Sequence, residues 1–174
     1  MNLRTIVKER TTDLLRLIDC VHDRKIVVFS SEEMEKDLAA THAKFPKGTN
    51  DGNVYLYRIS LTSTDVTPQM LCEKFQAACG REWNMSRDNG RTNSTTLYVG
   101  TSKNLHSRFR SHLGTGKGTS TWALYLSKWS VPGATFEVEY YRFPESSAVD
   151  VELLEGILWE AAKPLFGKRG GRGA

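Results

Sequence analysis

Residues 96–114, TLYVGTSKNLHSRFRSHLG, constrain the fold more than any other stretch of the chain. A short apolar run ends at Gly100, and a segment with helical periodicity follows and closes at Gly114. The first pattern is typical of a strand and the second of a helix that ends at a glycine. A strand that passes almost directly into a helix predicts a fold that mixes α and β elements.

The predicted helix in this stretch carries ionisable side chains beside its apolar face. Leu105, Phe109 and Leu113 form a stripe at about 100° per residue. His112 falls at the edge of that stripe and Arg108 lies next to it, so the two side chains are neighbours on the helix surface. One interpretation is that Arg108 reaches out from the core edge and His112 is a hydrogen-bonded interior histidine. The other is that both belong to a polar functional site.

A second predicted helix shows the same kind of feature. It begins after Ser147 and stops at Pro164. Glu155 projects from the margin of its buried face, where a carboxylate needs a cation, hydrogen-bond donors or a metal ion as a partner. A boundary glutamate that simply reaches solvent is the alternative. The predicted buried face consists of Val151, Leu154, Ile157, Leu158 and Ala161.

The rest of the chain supplies short strands and further helices. Alternating patterns predict strands at 54–60, 96–100 and 135–143, and KIVVF at 25–29 is a further strand candidate. Periodic segments predict helices over 11–23, from Ser30 to Phe45 and over 67–80. We therefore expect an α+β fold with a small, three-stranded, mainly antiparallel sheet flanked by helices, an N-terminal helical extension and a helical insertion.

Composition limits the class of protein without naming a function. The 174 residues suit one domain, and the net charge of +4 is compatible with a polyanionic partner. No stretch resembles a membrane span or a secretory signal, and the three cysteines predict reduced thiols in a cytoplasmic protein. Cys72 and Cys79 match no zinc-ligand spacing, so small buried side chains are the favoured interpretation for both.

The motif residues resemble a known family. The run LYVGTSKNLHSRFRSH is similar to the second half of the GIY-YIG nuclease signature, with Tyr98, Arg108 and His112 at the family's positions. NVYLYRIS resembles the first half, with Tyr55 as its tyrosine; Tyr57 is the alternative, because Asn53 replaces the family's glycine. LLEGILWEAAKPLFG resembles the last helix, with Glu155 as the metal-binding glutamate, whereas Gly167 stands where many members have asparagine.

The resemblance implies an activity and a division of the chain. It implies a metal-dependent endonuclease that hydrolyses phosphodiester bonds in DNA, with Tyr55, Tyr98, Arg108, His112 and Glu155 as catalytic residues and Mg²⁺ or Mn²⁺ held by Glu155. The nuclease-like domain covers 51–168, with an insertion at 61–95, between an N-terminal α/β extension at 1–50 and a flexible basic tail at 169–174. This compact plan is closest to restriction or defence members.

Several basic residues are candidates for contact with a nucleic-acid backbone. They are Lys103, Arg110, Lys117, Lys168 and Arg169. We expect double-stranded DNA as the partner, no membrane and no small-molecule cofactor, and either a monomer or a homodimer. A catalytically inactive nucleic-acid-binding module on the same fold, or a DNA-repair nuclease, is the alternative. A buried-edge carboxylate that repels phosphate argues against the inactive module.

Overall fold

A four-stranded antiparallel sheet forms the centre of the molecule. The computed structural model describes residues 12, 15–16, 24–47, 52–79, 83–116 and 122–170. The spatial order of the strands is β1-β4-β2-β3, so β1 and β3 are the two edge strands. The strands are β1 (Arg24–Ser30), β2 (Asn53–Leu61), β3 (Thr96–Ser102) and β4 (Thr135–Pro144).

The predicted α+β class is confirmed, but the prediction of three strands is wrong. The strand candidate near the N-terminus joins the same sheet, because β1 pairs with β4 along its whole length. Phe29 is buried opposite Phe136, whereas Ile26 and Val28 on the other face remain exposed. The pairing is long-range: Arg24 donates to Glu139, 115 residues later in the chain. Local periodicity gives no information about such a partner.

Five α-helices surround the sheet in the described ranges. The segment predicted as one helix after Ser30 forms two, because Asp37 ends the first and its side chain accepts a hydrogen bond from the Ala40 amide of the second. Of the helix predicted over 11–23, the structure describes only Thr12, Leu15 and Arg16, and all three are helical. The helices are α1 (Ser31–Lys36), α2 (Leu38–Ala43), α3 (Pro68–Ala78), α4 (Leu105–Leu113) and α5 (Ala148–Ala162).

The helices α4 and α5 pack on opposite faces of the sheet. Alternate side chains of β2 point to opposite faces, so the strand contributes to two separate cores. The core on the α4 face includes Tyr57, Ile59, Leu105, Phe109 and Leu113. The core on the α5 face includes Val54, Leu56, Val99, Val151 and Leu154.

Three smaller expectations about side-chain burial differ from the structure. Ile157 and Ala161 are exposed, because the buried face of α5 runs through Val151, Leu154 and Glu155. Cys72 is buried as predicted, whereas Cys79 follows the end of α3 and is exposed.

Among the described residues, none of the helices combines the length and the hydropathy that a bilayer crossing requires.

Candidate active site

Arg108 lies at the centre of the polar cluster. Its Nε donates a hydrogen bond to the hydroxyl oxygen of Tyr57 at 2.8 Å, and its Nη2 donates to that of Tyr98 at 2.8 Å. Burial acts to lower the pKa of Arg108, but the two tyrosine oxygens raise it above its ordinary value, so the guanidinium stays charged. The Nη1 group has no hydrogen-bond partner among the described residues.

His112 is fully buried and holds Tyr57 from the other side. The amide of Leu124 donates to His112 Nδ1 at 3.3 Å, so in the neutral ring the proton lies on Nε2. That nitrogen donates to the Tyr57 hydroxyl oxygen at 2.9 Å. Burial, aided by the Arg108 charge, holds the pKa of His112 well below its usual range. The imidazole therefore remains neutral, and both of its nitrogens are used inside the protein.

The structure brings Tyr57, and not Tyr55, to Arg108. Both tyrosines lie on the same face of β2, but Tyr57 is opposite Gly100 of β3 and Tyr55 is opposite Ser102. The ring of Tyr55 packs instead against Tyr140, with 6.2 Å between the ring centroids. Burial raises the pKa of Tyr57, so its phenol is neutral near pH 7. Tyr57 is thus a residue that positions Arg108.

Gly100 allows the two tyrosines of the cluster to approach the strand. The rings of Tyr57 and Tyr98 are stacked, with 6.1 Å between centroids and 12° between planes. A Cβ atom at Gly100 would lie 2.8 Å from the Tyr57 hydroxyl oxygen and 2.8 Å from Cε1 of Tyr98. A glycine is therefore required at this position by the close approach of both rings.

Gly100→Ala is expected to disturb the cluster directly. Overpacking of this kind costs about 1–3 kcal/mol, and here it separates the tyrosine oxygens that hold Arg108. Chemical denaturation should show the loss of stability. Gly116→Ala is the matched control, because its nearest neighbour would lie at 3.5 Å, an ordinary contact. Equal stability of the two variants would contradict the proposed steric role.

Glu155 reaches the cluster from the opposite face of the sheet. It lies on α5, is only 7% exposed, and accepts a hydrogen bond from Thr101 Oγ1 at 2.7 Å. Burial raises the pKa of Glu155, while the Thr101 hydrogen bond and the Arg108 charge oppose that rise. Because β3 is an edge strand, groups from α4 and α5 can meet beside it.

The segment that follows α5 covers this edge. The amides of Leu165 and Phe166 donate to the carbonyl oxygens of Thr96 and Leu97, both at 2.9 Å. Gly167 has φ +94°, and a Cβ there would lie 2.6 Å from the Tyr98 ring, so an asparagine would clash at this position. At Gly170 a side chain would overlap the Glu155 carboxylate. The backbone therefore lies directly against Glu155.

A cavity of about 890 Å³ opens beside these groups. Tyr98, Arg108 and Glu155 line it, whereas Tyr57 and His112 do not. Three of the predicted catalytic residues thus face a common space. His112 supports Arg108 indirectly, because it donates to Tyr57, which also accepts a hydrogen bond from Arg108. A ligand in this cavity would contact Tyr98, Arg108 and Glu155.

The predicted phosphate-contact residues lie in different places. Lys168 and Arg169 border the cavity, and Arg169 also pairs with Glu160 at 3.3 Å. Arg110 borders a separate cavity near His42 and His106. Lys103 is exposed in the turn between β3 and α4, and Lys117 lies outside the described residues.

The donor set at Glu155 is compatible with a hard divalent cation. Over the described ranges, no group of three or more His, Cys, Asp or Glu side chains forms a metal site. Mg²⁺ is commonly bound by one or two carboxylates, with water and substrate phosphates completing its coordination. A single carboxylate on a cavity shared with Arg108 fits that pattern, and carboxylates suit Mn²⁺ as well.

The neutral state of His112 predicts how stability depends on pH. The unfolded chain binds a proton near pH 6.5, whereas the folded chain resists protonation because its pKa is lowered. The stabilisation is complete above pH 6.5 and falls below it, by at most about 1.4 kcal/mol per pH unit. Denaturation of the wild type and of His112→Gln between pH 7.5 and 5.5 measures this, and the variant should show the smaller dependence. Parallel profiles would contradict a buried neutral imidazole.

Thr101 was missed by sequence reasoning. It follows Gly100 on β3, and its side chain points to the α5 face, where it meets Glu155. A threonine in a strand is common, so no local pattern marked it.

Comparison with known proteins finds no family model that matches the chain, no similar curated protein and no similar solved structure. The geometry of the site and the motif residues therefore carry the functional proposal.

Proposed function

We propose that the protein is a metal-dependent endonuclease of the GIY-YIG type that hydrolyses phosphodiester bonds in DNA. The single observation that carries the proposal is the shared cavity, where a charged arginine held by two tyrosines lies beside a buried carboxylate. The motif residues Tyr98, Arg108 and His112 lie close together in the sequence. Glu155 comes from a helix more than forty residues later, and it lines the same cavity as Tyr98 and Arg108.

Arg108 is the group that binds the phosphate. Two of its nitrogens are fixed by Tyr57 and Tyr98, so the guanidinium is already oriented before a ligand arrives. Its Nη1 group then donates to the non-bridging phosphate oxygens, where negative charge grows in the transition state. The fixed orientation favours the transition state because little reorganisation is needed during the reaction.

Tyr98 orients the attacking water, which loses its proton to solvent in the open cavity while the bond between phosphorus and the leaving oxygen breaks. Its hydroxyl oxygen accepts from Arg108, which leaves its own proton free to donate into the cavity. Burial raises the pKa of Tyr98, so it acts as a hydrogen-bond donor and not as a phenolate base. His112 does not contact the substrate in this proposal. It positions Arg108 indirectly, through its hydrogen bond with Tyr57.

Glu155 is the residue that would hold the metal ion. When bound, a divalent cation supplies Lewis-acid stabilisation of the phosphate and of the leaving oxygen. Without a bound cation, the Glu155 carboxylate is largely buried. Burial disfavours its charged form and so raises its pKa. A nearby cation offsets that penalty.

The proposal is tested with purified protein and supercoiled plasmid DNA, with Mg²⁺ and with a chelator. We expect nicked or linear products only with Mg²⁺. Glu73→Gln, on an exposed position of α3 outside the cavity, is the matched control and should cut at the wild-type rate. Binding without any cleavage under either condition would favour the inactive nucleic-acid-binding module.

A further inference from the structure

One wall of the cavity beside Arg108 has no role in the phosphodiester hydrolysis proposed above. It is built by the loop 83–88 and by Trp122. Trp122 is 60% exposed, and no other aromatic ring stacks on it among the described residues. An exposed indole on the wall of a cavity is an available stacking surface.

The backbone fixes Trp122 at this rim. Its neighbour Ala123 donates to the carbonyl oxygen of Asn84 at 3.3 Å and accepts from the amide of Ser86 at 2.9 Å. One residue further, the Leu124 amide donates to His112. The stretch that carries Trp122 is therefore tied both to the opposite loop and to the Arg108 cluster.

The same wall contains polar groups that lack a use within the fold. Ser86 lines the cavity and is 4% exposed, and its hydroxyl has no hydrogen-bond partner among the described residues. Asn84 also lines the cavity. The amide of Asn84 can recognise the hydrogen-bonding edge of a base.

Charge favours an anionic ligand at the mouth. Arg87, Arg108, Lys168 and Arg169 line the cavity, against the carboxylates of Asp88 and Glu155. Asp88 is already engaged, since it accepts from Gln76 and from the Gly90 amide. Aromatic, hydrogen-bonding and cationic groups around one space match a nucleotide.

We propose that this cavity takes one unpaired nucleobase of the DNA substrate, stacked on Trp122, next to the phosphate held by Arg108. The inference rests on the proposed function and narrows its substrate. Bases inside a continuous duplex are stacked on each other, so only a single-stranded, bulged or extruded nucleotide can enter. DNA with an unpaired nucleotide is then the preferred substrate.

The test compares the binding of two DNAs to the complete chain with the Glu155→Gln substitution, in buffer that contains Mg²⁺. This substitution removes the proposed metal-binding charge. Fluorescence anisotropy measures Kd for a labelled duplex and for the same duplex with one bulged adenine. We expect the bulged DNA to bind about tenfold more tightly, and a further Trp122→Ala change to remove that preference, because stacking on an aromatic ring contributes this much. Trp122→Phe should keep most of it, and Val149→Ala, exposed and outside the cavity, is the control.

The possible outcomes separate the two proposals. Equal Kd values for both DNAs, or an unchanged preference in Trp122→Ala, would overturn the base pocket while leaving nuclease activity intact. Displacement of bulged DNA by an equal concentration of free dAMP would assign the cavity to a free nucleotide, which also overturns it. Absence of cleavage of either DNA by the wild type would overturn the proposed function itself.

Discussion

Arg108→Ala is expected to reduce cleavage by about a thousandfold or more, on the scale of losing an arginine that stabilises phosphoryl charge. The change removes the phosphate donor and also the group that joins Tyr57 to Tyr98. DNA binding should weaken as well, because a cation at the cavity is lost. Initial rates of plasmid nicking at saturating DNA, together with Kd from anisotropy, measure the two effects separately.

Two further variants make the Arg108 prediction specific. Arg108→Lys keeps the charge but not the planar fork, so we expect it to recover no more than about a tenth of wild-type activity. Lys74→Ala removes one charge from an exposed position of α3 and should cut normally. Wild-type rates in Arg108→Lys would show that charge alone suffices and that the tyrosine-held geometry is irrelevant.

Glu155→Gln is expected to lower cleavage by at least about a hundredfold, comparable to removing one electrostatic element of an active site. Glutamine keeps the shape and can still accept the hydrogen bond from Thr101, but it lacks the charge that would hold a divalent cation. DNA affinity should be unchanged or higher, since a negative charge near the phosphate is removed. Cleavage rates over a range of Mg²⁺ and Mn²⁺ concentrations test this.

The metal titration distinguishes weakened metal binding from other causes of a loss of cleavage in Glu155→Gln. Recovery of activity at high metal concentration would agree with weakened metal binding. Circular dichroism and a denaturation curve exclude misfolding, and burial of an amide in place of a carboxylate is expected to leave the protein at least as stable. A variant that cuts at the wild-type rate would show that the proposed metal site is wrong.

Local patterns predicted much of this site, and long-range pairing decided the rest. Arg108 and His112 are one helical turn apart, so periodicity alone placed them side by side. The choice between Tyr55 and Tyr57 depends on the register of β2 against β3, which the long segment between the two strands does not reveal. The same limit hid β1 from the predicted sheet, since its partner β4 is separated from it by most of the chain.

Arg108 and Glu155 are carried by helices on opposite faces of the sheet, so the proposed site is complete only when both helices are folded onto the sheet. The helix that carries each side chain packs on a different hydrophobic core, and the two cores share the sheet between them. A partly unfolded form that loses either α4 or α5 keeps only one half of the site, however native the remaining layer is. The proposed activity would thus disappear with the first layer to detach. An assay of cleavage during heating would then report local opening earlier than a probe of average helix content.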